Sequence, residues 1–330
     1  VNETLPPALS VVIVTYNSAH VVAEALGALP DEVEIVIVDN ASQDESIARA
    51  RAVRPKSIVV ETGANLGFAR AVNAGVARAQ GRYLLLLNPD AVIEAGAVAE
   101  MLRVLEADVS IGVAAPLVTE SDGSLTTLAA GYEPSIGRMF THATGLSRLA
   151  RRIPALRGHY LLRGQYKEDA LLDVRWVSGG CLFTRRDSWS QLDGLIERWF
   201  MYAEDVEFCL RVGDAGQRVV LVPWVHAAHA VGGSSGGEAK IRTMWLENLY
   251  DLYQLHYGAK RIRQFTWRAV VATGFTARSL IAGLRAAVSG GVQGYASDHD
   301  RRRFLRYASA LLAIRRRDET PASDVDGTNA

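Results

Sequence analysis

This 330-residue sequence has little cysteine, no long apolar run and no net charge. The two cysteines, Cys181 and Cys209, stand at no metal-ligand spacing, and a reduced, intracellular protein is expected. No stretch of about 18 uncharged apolar residues occurs, so no transmembrane helix is expected. Val1–Leu9 has no basic segment followed by an apolar run, so no secretory signal is expected there. A formal net charge of zero gives no general attraction to nucleic acid. No G-x-G-x-x-G follows the first apolar run, and no G-x-x-x-x-G-K-[ST] is present, which disfavours a dinucleotide oxidoreductase and a P-loop phosphotransferase.

What is present is a globular composition, 49% hydrophobic and 22% charged, long enough for one large α/β domain or two smaller ones. The first 120 residues alternate short β-branched runs with helical patterns. Strands are expected at Leu9–Thr15, Glu34–Val38, Ser57–Glu61 and Tyr83–Leu87. Helices are expected at Ser18–Leu29, Ser42–Val53, Phe68–Ala79 and Glu94–Glu106, with Ser42 and Glu45 as a capping box. This β-α series implies a mostly parallel sheet with helices on both faces, whose ligands gather at the carboxyl ends of the strands. Thr15-Tyr16-Asn17, Asp39-Asn40 and Asn88-Pro89-Asp90 all follow strands directly, and so share that rim.

Further on, Arg148–Arg152 and Arg157–Arg163 read as exposed basic segments. Val174–Thr184 reads as a strand broken at Gly179-Gly180, Glu204–Gly213 as a helix and Arg218–Val222 as a strand. After the Gly232–Gly237 loop the chain reads as helical to about Arg317, and residues 318–330 as a disordered tail. Glu238–Arg317 carries 15 Lys and Arg against 5 Asp and Glu, so the neutral total hides a basic C-terminal part.

Three places offer chemistry. Asp90, in a turn after an apolar strand, suits an oxygen-loving cation shared with a diphosphate, or caps the next helix. Glu204 and Asp205 follow an aromatic run and open a helix. They are either helix-start acids or a base for a hydroxyl, kept charged by the helix dipole. His226 and His229 follow a strand and precede a Gly/Ser loop. Such histidines are structural, or complete a metal or phosphate site under a loop that orders on binding.

Seven motifs in order resemble family 2 inverting glycosyltransferases over roughly residues 9–250. They are Val11–Asn17, Val38–Asp44, Asn65–Gly75, Leu86–Ala91, Trp176–Cys181, Met201–Arg211 and His229–Ser234. The subgroup most similar is the bacterial rhamnosyltransferases of cell-surface polysaccharide assembly. The resemblance implies a GT-A fold over residues 1–237, with a nucleotide-sugar half at about 9–120 and an acceptor half at about 121–237. A helical basic region, 238–317, follows. It implies that Thr15, Tyr16, Asn17, Asp39, Asn65, Gly67, Phe68, Asn73, Asn88 and Asp90 bind the donor, with Asp39 receiving a pyrimidine N–H. Trp176, Ser178, Gly179, Gly180, Trp199, Tyr202 and Glu204 would bind acceptor or sugar, and Asp205 would be the base. Asn88-Pro89-Asp90 stands where the family has D-x-D, so Asp90 and His229 would hold Mn²⁺ or Mg²⁺ together with the donor diphosphate.

The implied donor is dTDP-rhamnose, with UDP-sugars such as UDP-galactofuranose next. The implied acceptor is a glycan or polyprenyl-diphosphate-linked glycan, at the cytoplasmic face of the plasma membrane. Rival readings are a sugar nucleotidyltransferase, though Thr15–His20 lacks its glycine-rich loop, and a non-catalytic nucleotide-sugar or glycan-binding protein. In the C-terminal part, Trp267, Val271, Phe275, Leu280 and Leu284 are expected to share much of one helix side, with Arg268, Arg278 and Arg285 near one another. Those helices either pack on the catalytic domain or touch an anionic membrane.

Overall fold

The computed structural model describes residues 7–120, 127–229, 241–258, 260–288 and 291–314. The Gly232–Gly237 loop and the 318–330 tail lie outside the described residues. The first stretch runs β1 (Leu9–Thr15), α1 (Val22–Ala28), β2 (Glu34–Asp39), α2 (Ser46–Val53), β3 (Ile58–Glu61), α3 (Phe68–Val76), β4 (Tyr83–Leu87), β5 (Ala91–Val92), α4 (Ala95–Ala107) and β6 (Ile111–Glu120). The second runs β7 (Thr127–Gly131), α5 (Ile136–Thr144), β8 (Tyr160–Leu162), β9 (Leu172–Val174), β10 (Trp176–Val177), β11 (Cys181–Arg185), α6 (Arg186–Gln191), α7 (Glu204–Asp214) and β12 (Arg218–His229). Three helices follow: α8 (Ile241–His256), α9 (Arg261–Val288) and α10 (Gly291–Ala313).

The main sheet has the order β3-β2-β1-β4-β11-β6-β12-β5, and β9 pairs with β12 beside it. β3, β2, β1 and β4 are parallel, as are β6 and β12, whereas β11, β5 and β9 run antiparallel to their neighbours. Both faces are covered, which is why the strands read as unbroken apolar runs. Leu84 and Leu86 enter the core under α3 and α7, and Leu85 and Leu87 enter the core under α1 and α4. A small sheet, β10-β7-β8, stands beside the main one.

Two helix starts differ from the expected ones, and the reason is polar. The Ser42 N–H donates to Asp39 Oδ2 at 2.9 Å and its hydroxyl accepts the Asn17 N–H at 3.0 Å, so Ser42 knits the rim and α2 begins at Ser46. Glu45 makes no side-chain cap. The Ser18 N–H donates to Ser46 Oγ at 2.7 Å, and α1 starts only at Val22. Segment 157–163 is also not simply exposed: Gly158, His159 and Leu161 are buried.

α5, α8, α9 and α10 build a third core around Trp267, Val271 and Phe275. The expected single apolar side of α9 is split. Trp267, Val271 and Phe275 face inward, while Leu280 and Leu284 are 66% and 69% exposed. At 100° per residue the two groups lie roughly half a turn apart. Arg268 donates to the Leu311 and Leu312 carbonyls at the end of α10, at 2.8 and 3.3 Å. The Arg278 guanidinium lies 4.0 Å over the Phe304 ring, and burial lowers its pKa to about 10.

The small sheet meets this core through buried rings. His159 stacks on Trp176 at 5.0 Å, and Tyr160 packs against His142, Trp176 and Trp245. Burial holds both histidines neutral, with pKa values lowered to about 3 for His142 and about 4 for His159. The unfolded chain then binds more protons below its own histidine pKa. Stability is therefore complete above about pH 6.5 and falls as pH drops toward 4. In His159→Asn the urea-unfolding free energy should fall less steeply between pH 6.5 and 5 than in the wild type, by about 1.4 kcal/mol per pH unit. Identical slopes in the two proteins would show that His159 is not held neutral by the fold.

Candidate active site

The carboxyl ends of β1, β2 and β4 form the first wall. Thr15 is in register with Asp39, and its hydroxyl donates to Asp39 Oδ1 at 2.9 Å. With Ser42 on Oδ2, the Asp39 carboxylate is buried and fixed, and each oxygen retains a lone pair for a ligand N–H. Asn17 adopts φ 53° and accepts the Gln43 N–H on Oδ1 at 2.8 Å, which leaves the neighbouring Tyr16 ring exposed at the rim.

Asn40 is the organiser that sequence reasoning did not single out. Its Nδ2 donates to Asn65 Oδ1 at 2.8 Å and the Gly67 carbonyl at 3.2 Å, and its Oδ1 accepts the Leu66 N–H at 2.9 Å. The loop carrying Asn65 and Gly67 is thus pinned to the end of β2. Gly67 has φ 84°, and a Cβ there would lie 2.3 Å from the Phe200 carbonyl oxygen. That close approach, with the Phe68 N–H donating to the same oxygen at 2.8 Å, seats the donor-side loop against the segment before α7. Asn73 does not reach the rim. Its Nδ2 donates to the Leu195 carbonyl and its Oδ1 accepts the Leu195 N–H, at 2.9 and 3.1 Å, so it secures the 195–197 turn.

The second feature is a corner. β5 pairs with the end of β12, placing His229 opposite Ala91. His229 Nε2 lies 3.1 Å from Asp90 Oδ1 and 3.2 Å from Asn88 Nδ2. The sequence pair Asp90 and His229, 139 residues apart in chain, therefore meets. α4 starts at Glu94 with no side-chain cap, so Asp90 is not its capping residue. Among the described residues no three His, Cys, Asp or Glu side chains gather into a cage for a metal. One carboxylate and one imidazole fit a Mn²⁺ or Mg²⁺ ion that takes its other ligands from a diphosphate and water. His226 lies at the β-bulge of β12 and is exposed, away from this corner.

The third feature is the Asp205 carboxylate at the start of α7. The Gly179 N–H donates to Asp205 Oδ2 and the Val206 N–H to Oδ1, both at 2.8 Å. Burial raises the Asp205 pKa, and these bonds oppose that shift without cancelling it. Backbone N–H donors at the start of α7 thus favour the charged carboxylate, with the Gly179 N–H added from outside the helix. Glu204 is buried, with its pKa raised to about 8 by burial and then by Asp205. Burial first, and then Asp205, thus favour its neutral form, with Oε1 accepting the Tyr202 N–H at 3.1 Å.

Ser178-Gly179-Gly180 joins the corner to the Asp205 carboxylate. It is the step from β10 in the small sheet to β11 in the main sheet. The Asn88 N–H donates to the Gly180 carbonyl at 2.9 Å. A Cβ on Gly180 would lie 3.2 Å from Asn88 Nδ2, and one on Gly179 would lie 3.1 Å from Phe68 and 3.4 Å from Asp205 Cβ. The backbone passes between the two chemical centres with no room for a side chain.

Trp176 and Trp199 are buried, with their indole N–H groups donating to the Tyr132 carbonyl at 3.1 Å and Asp251 Oδ2 at 2.8 Å. Their rings are covered by protein. The faces open at the cleft belong to Tyr16, Tyr202 and Phe200 instead. Tyr202 and Ala203 have φ 71° and 82°, two successive left-handed residues that cost about 1–3 kcal/mol each and persist only where the surroundings hold them. α8 is that hold. Asn248 Nδ2 donates to the Met201 carbonyl at 2.8 Å, and Asp251 takes Arg198 in a bidentate pair. Glu207, two residues after Asp205, binds Arg211 at 2.8 Å and His256 at 3.3 Å. Asn248, Asp251 and His256 follow the helical periodicity of α8, and no motif distinguishes them.

A polar rim at the strand ends, the Asp90–His229 corner and the half-buried Asp205 carboxylate stand together on a GT-A sheet. Residues 10–161 match the model of glycosyl transferase family 2. An N-acetylglucosaminyl-diphospho-decaprenol L-rhamnosyltransferase of Mycobacterium tuberculosis is 31% identical over 243 residues, 69% of this chain and 78% of the relative. A low-salt glycan biosynthesis hexosyltransferase of Haloferax volcanii is 25% identical, over 64% of this chain and 63% of its own. The fold matches a mannosyltransferase from Pyrobaculum calidifontis in complex with GDP-mannose and Mn²⁺, with a TM-score of 0.56, 17% identity, and 94% of this chain and 88% of that one covered. The protein belongs to glycosyl transferase family 2 and is an enzyme close to rhamnosyltransferases. This sets aside the nucleotidyltransferase and non-catalytic readings.

Because burial and Asp205 favour the neutral form of Glu204, Glu204→Gln should keep kcat within about three-fold of wild type at pH 7. It should also lose any alkaline transition near pH 8. A hundred-fold loss at pH 7 would show that Glu204 acts as a carboxylate.

Proposed function

We propose that the protein transfers L-rhamnose from dTDP-rhamnose, with inversion, to a hydroxyl of a polyprenyl-diphosphate-linked glycan on the inner face of the plasma membrane. The observation that carries the chemistry is Asp205, a half-buried carboxylate held by two backbone N–H groups beside the Gly179-Gly180 step. The 31% identity to the mycobacterial rhamnosyltransferase supports the choice of sugar and of a lipid-linked acceptor.

In this reading the Asp39 carboxylate accepts the ring N–H of thymine, and Thr15 and Ser42 keep it aimed. A uracil offers the same N–H, so UDP-sugars are the second choice. Tyr16 lies over the open side of the pocket. Asp90 and His229 would hold a divalent cation, which would supply neutralisation of charge on the departing diphosphate. The cation has two protein ligands, so its affinity is low until donor is bound.

Asp205 takes the proton of the acceptor hydroxyl as that oxygen bonds to the anomeric carbon. The bond from that carbon to the diphosphate breaks on the opposite face, releasing the nucleoside diphosphate. A single displacement inverts the anomeric centre. The Gly179 and Val206 N–H groups leave each Asp205 oxygen a free lone pair for this proton. Tyr202, raised on its left-handed turn, flanks the acceptor.

Asp205→Asn should lower kcat at least about a thousand-fold while leaving the thermal shift produced by dTDP and Mn²⁺ nearly unchanged. The assay is release of dTDP from dTDP-rhamnose with a lipid-linked N-acetylglucosamine acceptor. Near-normal turnover in the variant would remove Asp205 as the base. No turnover in the wild type, alongside turnover with a UDP-sugar, would overturn the donor assignment.

A further inference from the structure

α9 is 28 residues long, about 42 Å, and carries five arginines and no acid. A long surface helix ordinarily shows charge to water. This one does not. Between Gln264 and Leu284 its only charged residues are Arg268 and Arg278, and both turn to protein: one to the end of α10, the other to Phe304 and the His142 carbonyl. The outward face instead presents Ile262, Phe265, Leu280, Ile281, Leu284 and Val288, from 49% to 88% exposed.

Of the three threonines on that face, Thr273 is exposed, while Thr266 and Thr276 bond back into the helix. Thr266 Oγ donates to the Ile262 carbonyl at 2.8 Å and Thr276 Oγ to the Ala272 carbonyl at 2.9 Å, each one turn back along the helix. A hydroxyl facing water has no need of that partner, whereas one facing hydrocarbon does. α10 widens the surface. Tyr307 meets Trp245 of α8, and Leu305 and Leu312, both exposed, fall on the opposite flank of the helix at 100° per residue. Exposed arginines lie at the edges: Arg261 and Arg263 at one end, Arg285 toward the other, and Arg306 on α10. No helix among the described residues is long and apolar enough to cross a membrane.

We propose that the outward face of α9, with Leu305 and Leu312, lies in the plane of an anionic lipid surface, with its leucines and Phe265 below the headgroups and the rim arginines on phosphates. The charge pattern selects this occupant. A second copy of the chain would set arginine rim against arginine rim, whereas anionic headgroups complement it. The contact is thus through an apolar face with a basic border, while two of the three arginines that suggested a basic face serve the protein. The inference deepens the membrane-side reading above, and its readout needs no sugar.

The test is co-sedimentation of the full chain with vesicles of phosphatidylcholine alone and of phosphatidylcholine with phosphatidylglycerol, at low and high salt. Wild type should bind the anionic vesicles and retain part of that binding at high salt. Leu280→Ser with Leu284→Ser should weaken binding roughly ten-fold or more, with an unchanged thermal shift by dTDP and Mn²⁺ showing an intact fold. Three results would each overturn the proposal: no binding to either vesicle, wild-type binding by the double variant, or a wild-type dimer in sedimentation velocity that the double variant abolishes. Vesicle binding without rhamnosyl transfer would fault the sugar assignment alone.

Discussion

The site depends on a backbone step through two glycines. Ser178-Gly179-Gly180 carries the chain from the small sheet to β11, and its amides and carbonyl touch both reacting centres. One glycine gives its N–H to Asp205, and the next gives its carbonyl to Asn88, two residues before Asp90. The base and the metal corner are therefore referenced to one rigid element. An inverting transfer needs this, because the nucleophile and leaving group lie on opposite sides of one carbon. Neither centre would hold its place if that step moved.

Around the step, each half of the molecule is locked to the other by close backbone approach. Gly67 seats the donor loop on the Phe200 carbonyl, and Asn40 keeps that loop in place. On the far side α8 holds the strained Tyr202-Ala203 turn through Asn248 and Asp251. The C-terminal helices are consequently part of the active-site architecture. They brace the loop that presents Asp205, and they carry an uncharged face along α9.

Much of this was legible in sequence because parallel strands buried on both faces leave unbroken apolar runs, and the polar residues after them mark the rim. Asp39, Asp90, Asp205 and His229 stand out as charged or ring-nitrogen residues directly after or before such runs. The Asp90–His229 contact itself depends on the β5–β12 pairing, a long-range register that local pattern does not encode. Ser42 illustrates how tertiary contacts override local rules: its capping pattern is intact, yet its hydrogen bonds go to Asp39 and Asn17. Trp176 and Trp199 looked like sugar platforms because aromatics serve both cores and ligands, and only burial separates the two uses. Asn40, Asn248 and Asp251 act through amide and carboxylate contacts to distant backbone, which leave no periodic trace. The expected single apolar side of α9 splits because Leu280 and Leu284 lie roughly half a turn from the group of Trp267, Val271 and Phe275, a difference that packing makes plain.

The most direct measurement is kcat of Gly179→Ala, taken with the dissociation constant for nucleoside diphosphate and Mn²⁺. The added methyl group touches Asp205 Cβ at 3.4 Å and meets the Phe68 ring at 3.1 Å, so the ring or the glycine step that holds Asp205 must give by a few tenths of an ångström. Turnover is expected to fall about ten- to a hundred-fold while nucleotide affinity stays within about three-fold. Wild-type turnover in this variant would contradict the dependence of the site on the glycine step.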